Sequence, residues 1–126
     1  MTEGTVTNYR DLQVWRKALD WAEAIYQATA DWPRDERFGL ISQIRRSAVS
    51  VASNVAEGAA RRTTGEFIQF VGVARGSLAE AETQLLLAQR LGYVPGSDAD
   101  ALLAASAEVS RMLAGLSGSL GRRKNA

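Results

Sequence analysis

Between Phe67 and Ala88 one spacing repeats without a slip: Phe67, Val71, Ala74, Leu78, Ala81, Leu85 and Ala88 follow steps of four and three. On an α-helix that spacing draws a single apolar seam along one side, the pattern of helices that pack lengthwise on other helices. A β-strand would scatter the same residues over both of its faces. The segment is therefore a long rod with one face committed to a partner, and the fold must supply that partner.

Three further segments can do so, with breakers between them. From about Asp11 to Asp31 two adjacent seams run side by side, Leu12, Trp15, Leu19, Ala22, Tyr26 and Thr29 on one and Val14, Ala18, Trp21, Ile25, Ala28 and Trp32 on the other. Helix 1 is thus apolar over more than one narrow stripe, and its second seam adds to the case for contact between copies of the chain. Trp32-Pro33 ends this helix, because a residue before proline is driven out of the helical region, and Pro33 with Asp35 and Glu36 suits the start of the next. Helix 2 carries Phe38, Ile41, Ile44, Ala48, Val51, Ala52 and Val55 on one side. Thr63 and Glu66 have capping-box spacing before helix 3, Gly92 stops that helix, and Ser97 is placed to cap helix 4, with its seam at Ala99, Leu102, Ser106, Val109, Leu113, Leu116 and Leu120.

These segments predict an all-α, up-down-up-down antiparallel four-helix bundle spanning 11–120, with helices at about 11–31, 34–60, 64–91 and 97–120. A flexible N-terminal segment, 1–10, and a basic disordered tail, 121–126, would flank it. An extended coiled coil is the alternative, but Pro33, Gly58, Gly92 and Pro95 cut the pattern into rods of comparable length.

Composition narrows the chemistry. The 126 residues include neither Cys nor His, which removes thiolate nucleophiles, sulfur ligands and the commonest neutral-pH base and metal ligand. Glu57, Glu66, Glu80 and Glu82 are the intramolecular carboxylates to weigh for a metal-dependent bundle enzyme. Di-iron bundles need Glu-x-x-His pairs, and Glu80 and Glu82 point to different sides of a helix. A carboxylate Mg²⁺ enzyme is the remote alternative; we expect no catalytic residue, metal or cofactor. Charge totals +1 but is uneven: residues 44–75 hold five basic and two acidic groups, and Arg122, Arg123 and Lys124 close the chain. Neither a signal-peptide pattern nor a membrane-length apolar run occurs, so a cytoplasmic location without membrane contact is expected.

Two surfaces look unlike solvated ones. Opposite the seam of helix 2 lie Gln43, Arg46, Ser50, Ser53, Asn54, Glu57 and Arg61, mostly short side chains where long Lys, Glu and Gln would favour helix and solubility. Another surface is expected to approach there; the simpler reading is a solvated face with a Glu57–Arg61 pair. Opposite the seam of helix 3, Gly72 and Gly76 each cost about 1 kcal/mol against alanine in a helix, beside Val73, Leu87 and Leu91. Together Ser50, Ser53, Asn54, Glu57, Gly58, Gly72 and Gly76 mark the surface on which copies of the chain would meet.

The runs Tyr9-Arg10-Asp11-Leu12, Val14-Trp15, Lys17-Ala18, Gly39-Leu40, Ser42-Gln43-Ile44-Arg45-Arg46-Ser47-Ala48 and Ser53-Asn54-Val55-Ala56-Glu57-Gly58 resemble bacterial four-helix bundle proteins encoded in intervening sequences of 23S ribosomal RNA genes. The likeness continues through Arg61-Arg62, Glu66-Phe67, Gly76-Ser77-Leu78, Glu82-Thr83-Gln84-Leu85 and Leu91-Gly92-Tyr93, over about residues 9–94. It implies a ring-like homo-oligomer, a pentamer, of unassigned biochemical role. Val51-Ala52 stands where many relatives carry a proline, which implies a straighter helix 2. A distantly similar group, the accessory proteins of diversity-generating retroelements, binds a reverse transcriptase and nucleic acid, but those proteins are strongly basic.

Two functional expectations stay open. In one, a non-catalytic oligomeric scaffold contacts RNA, DNA or a nucleoprotein through Arg45, Arg46, Arg61, Arg62, Arg122, Arg123 and Lys124, which would hold phosphates without reading sequence. In the other, these arginines serve assembly or a protein partner alone, Arg45 and Arg46 pairing with Glu57, Glu80 or a neighbouring subunit.

Overall fold

The computed structural model describes residues 8–125. After a single 3-10 turn at Tyr9–Asp11, four α-helices follow: α1 (Gln13–Thr29), α2 (Leu40–Ala59), α3 (Thr64–Arg90) and α4 (Gly96–Lys124). Each packs on its neighbours in sequence and α4 closes on α1, with the α2–α3 seam the most extensive. Short connections make successive helices antiparallel, so this is the up-down-up-down bundle that the apolar spacing predicts.

The heptad of α3 is buried throughout, as is that of α4 except for Leu116 at its margin. Helix α1 buries residues of both seams, Val14, Ala18, Trp21 and Ile25 from the second and Ala22 and Thr29 from the first, whereas Leu19 and Tyr26 are about half exposed; the second seam is thus core and not a face left for another copy. Ala18 and Ala22 let the other helices come close, and Trp21 fills the space between, its indole N–H donating to the Leu102 carbonyl at 2.9 Å.

Several boundaries also move. α1 stops at Thr29, whose hydroxyl turns back onto the Ile25 carbonyl at 2.8 Å. Residues Arg34–Glu36 form a 3-10 turn instead of opening α2. The Glu36 carboxylate accepts the Leu40 N–H at 3.0 Å, and this cap starts the helix there. A Cβ on Gly39 would lie 2.7 Å from that carboxylate oxygen, so a larger residue there would require the Glu36 side chain to shift. Phe38 consequently sits in the turn and is 86% exposed, not on the core side of α2.

At the α2–α3 turn, Thr63 accepts the Glu66 N–H at 3.1 Å, while its hydroxyl, rather than its backbone N–H, bonds the Glu66 carboxylate. Gly92 adopts φ 80° and ends α3 in a Schellman motif, Tyr93 N–H to Ala88 carbonyl and Gly92 N–H to Gln89 carbonyl. Pro95, not Ser97, occupies the cap of α4. The expected disordered tail is helical through Lys124, because Arg122, Arg123 and Lys124 suit the negative end of a helix dipole. Of the expected flexible segment 1–10, residues 1–7 lie outside the described residues.

Candidate functional site

The short polar side chains of α2 have a partner within the same chain. Ser50 and Ser77 meet hydroxyl to hydroxyl at 2.9 Å across the α2–α3 seam, and Asn54 donates to both the carbonyl and the hydroxyl of Ser50 at 2.8 Å. One turn further on, Gly58 is buried, and a Cβ there would fall 2.8 Å from Cβ of Phe70 and 2.9 Å from the Phe67 ring. The surface that approaches α2 at Ser50, Asn54 and Gly58 is therefore α3. That corrects the assignment of Gly58 to an outer face, while Ser53 and Glu57 do remain exposed.

Gly72 and Gly76 behave differently. Both are exposed, and a Cβ on either would meet nothing within 4 Å. Val73, Leu86, Leu87 and Leu91 share the outward side of α3, each about half exposed. A second apolar area lies on the α1–α2 side, where Tyr26, Phe38, Ile41 and Val49 border a shallow cleft of about 490 Å³.

The candidate cations divide into separate roles. Arg45 is committed within the bundle: Nε donates to the Thr29 hydroxyl at 2.8 Å, Nη2 to the Tyr26 carbonyl at 3.2 Å, and the guanidinium lies 4.5 Å from the Tyr26 ring centre. It serves one carbonyl and one hydroxyl at the negative end of α1 rather than pairing with Glu57 or Glu80. Arg61 pairs with Glu57 at 2.7 Å, four residues earlier, and stacks 4.7 Å from the Phe70 ring. Arg46 and Arg62 are exposed and, among the described residues, form no ion pair.

Lys124 reaches α3 at Gly65, its Nζ 3.3 Å from where a Cβ would stand. The C-terminus of α4 thus joins the α2–α3 turn, and Arg61, Arg62, Arg122, Arg123 and Lys124 share one end of the bundle. Asp31, Asp35, Glu36, Asp98 and Asp100 gather at the other with Arg34, Arg37 and Arg90 among them, so the excess of basic groups in this nearly neutral chain lies at the first end.

Three polar features had no signature in the spacing. Glu36 accepts the Tyr93 hydroxyl at 2.9 Å. The Leu40 N–H and then this hydroxyl hold its carboxyl below the usual carboxylate range, and the same bond pushes the Tyr93 phenol up. Ser106, fully buried on the α4 seam, donates to Glu82 and so spares the core an unpaired hydroxyl. Gln84 is 9% exposed and its Oε1 has no hydrogen-bond partner. Among the described residues, no group of three or more acidic side chains could hold a metal ion, and no helix is long and apolar enough to cross a membrane.

A family model described as 23S rRNA-intervening sequence protein matches residues 10–115. Among solved structures, the chain is similar to a protein of unknown function from the S23 ribosomal protein family of Bacteroides thetaiotaomicron, with 24% identity and a TM-score of 0.74. The alignment covers 82% of this chain and 96% of that one. None of the curated proteins matches.

Proposed function

From its membership of the 23S rRNA-intervening sequence protein family, we propose that this chain is a non-catalytic, self-assembling helical scaffold of the cytoplasm, built as a ring-like homo-oligomer. The observation that carries the reading is the outer side of α3. Two helix glycines there relieve no close contact inside the monomer, and on the same side of the helix Val73 beside them and Leu86, Leu87 and Leu91 further along stand half in water. Glycines four apart let a second backbone approach, and such a contact would offset their helix cost while covering the leucines.

The area on the α1–α2 side, headed by Phe38, is a different surface from the outer side of α3. Two unlike patches on one molecule favour a heterologous contact, which repeats around an axis until it closes. A pentamer of the 13.6 kDa chain would weigh about 68 kDa. Light scattering on the purified protein tests this; a monomeric mass at micromolar concentration would refute it.

The grouping of Arg61, Arg62, Arg122, Arg123 and Lys124 supports a second role for the assembly. In a ring with parallel subunits these groups repeat along one rim, so a modest charge per chain becomes a multivalent surface for RNA, single-stranded DNA or a nucleoprotein. The competing reading is assembly alone. Salt-dependent retention of RNA by the intact oligomer separates the two, and absence of binding at low ionic strength removes the first.

A further inference from the structure

The α2–α3 seam holds a polar recess that neither self-assembly nor a basic rim requires. It is small, about 210 Å³, and its lining includes Arg46, Ser50, Ser77, Glu80 and Gln84. Contact of Ser50 with Ser77 fixes the antiparallel register here. One turn toward the start of α2 and one toward the end of α3, Arg46 and Glu80 therefore stand at the same level on opposite banks. Their opposite charges do not close on each other: no ion pair within 4.0 Å joins them. Beside them Gln84 places an amide that is nine-tenths buried, its Oε1 without a partner.

We propose that this recess binds the head group of a free α-amino acid. The donor and acceptor inventory selects that class. An ammonium has three N–H donors and no acceptor, matching the Glu80 carboxylate, the Gln84 Oε1 and a serine oxygen. A carboxylate on the adjacent carbon offers two oxygens to the guanidinium fork of Arg46. A simple anion would leave Glu80 and Gln84 unanswered, and a simple cation would leave Arg46 so. Gln84 presents its oxygen by turning about its last side-chain bond, a soft torsion for a terminal amide. The volume suits glycine or alanine and leaves a larger side chain to project outward over the exposed parts of Arg46 and Glu80.

The test is calorimetric titration of the full-length, assembled protein with glycine and L-alanine, beside acetate and methylammonium, each of which carries half of the zwitterion. Saturable binding of the amino acids, at least about tenfold tighter than either half, is expected, with Arg46→Ala and Glu80→Gln each weakening it about tenfold. Gln84→Leu should abolish it while leaving the melting temperature unchanged or higher, since it removes the unpaired oxygen. Equal response to the amino acids and to their halves, no saturable heat, or unaltered glycine binding by Gln84→Leu overturns the proposal. If Gln84→Leu does not fold, the two surface substitutions decide alone, because both residues are exposed and neither forms an ion pair among the described residues. Light scattering on the same samples reports self-association separately, so either result stands without the other.

Discussion

Gly58 and the pair Gly72 and Gly76 break helical propensity in the same way, yet their surroundings are opposite. Gly58 lies where α2 crosses α3 with no room for one methyl group, between Cβ of Phe70 and the ring of Phe67. Gly72 and Gly76 face open space. A helix glycine is thus explained by what approaches it, and in the second case nothing in the same chain does. The contrast separates a residue that holds the bundle together from residues that wait for something outside it.

The largest effect should come from filling the closed site. Gly58→Ala forces the α2–α3 crossing apart and is expected to destabilise the fold by about 1 to 3 kcal/mol in urea denaturation, because Phe70 Cβ is close to the backbone and cannot swing away. The same change at Gly76 should act the other way on a lone bundle, adding about 0.5 to 1 kcal/mol through helix propensity. A loss of stability at Gly76 comparable with that at Gly58 would erase the distinction. Gly72→Leu and Gly76→Leu carry the comparison to assembly: circular dichroism should be preserved while light scattering shows the mass falling toward 13.6 kDa. Phe38→Ser should weaken association less severely, since its 86% exposed ring belongs to the second patch and contributes nothing to the monomer core.

Much of the fold was legible because seam spacing and breakers agreed: the buried residues of α3 are those of its heptad, and Gly92 ends it. Legibility failed where the decisive partner is distant in sequence. Two seams of α1 were equally periodic, and only packing against the other helices decides that Ala18, Trp21 and Ala22 are buried while Leu19 and Tyr26 are half exposed. Phe38 fits the helix 2 period, but the Glu36 cap starts α2 two residues later. The short residues of α2 signalled a close approach correctly, although at Ser50 and Gly58 the approaching surface is α3. Arg45 looked like a free cation because the hydroxyl and the carbonyl it serves lie 16 and 19 residues back on α1. Removing it with Arg45→Ala should cost about 1 kcal/mol of fold stability, the worth of a cap made by a charged donor, and should leave any RNA retention unchanged.

The smallest expected effect concerns the acidic end of the bundle and has a definite sign. Glu36 accepts hydrogen bonds from the Leu40 N–H and the Tyr93 hydroxyl, so its folded carboxyl ionises more readily than in the unfolded chain. Its contribution is therefore complete above the ordinary glutamate value of 4.5 and is lost as the pH falls through the lowered folded one. Tyr93 runs the other way: its phenol is raised, so the same bond persists at neutral pH and weakens only as the pH climbs through that raised value. Thermal melts of Glu36→Gln against the parent chain from neutral to acid pH should show two curves that converge as Glu36 protonates. Parallel curves over that range would mean that the start of α2 is held by the local turn at Gly39 and not by the carboxylate.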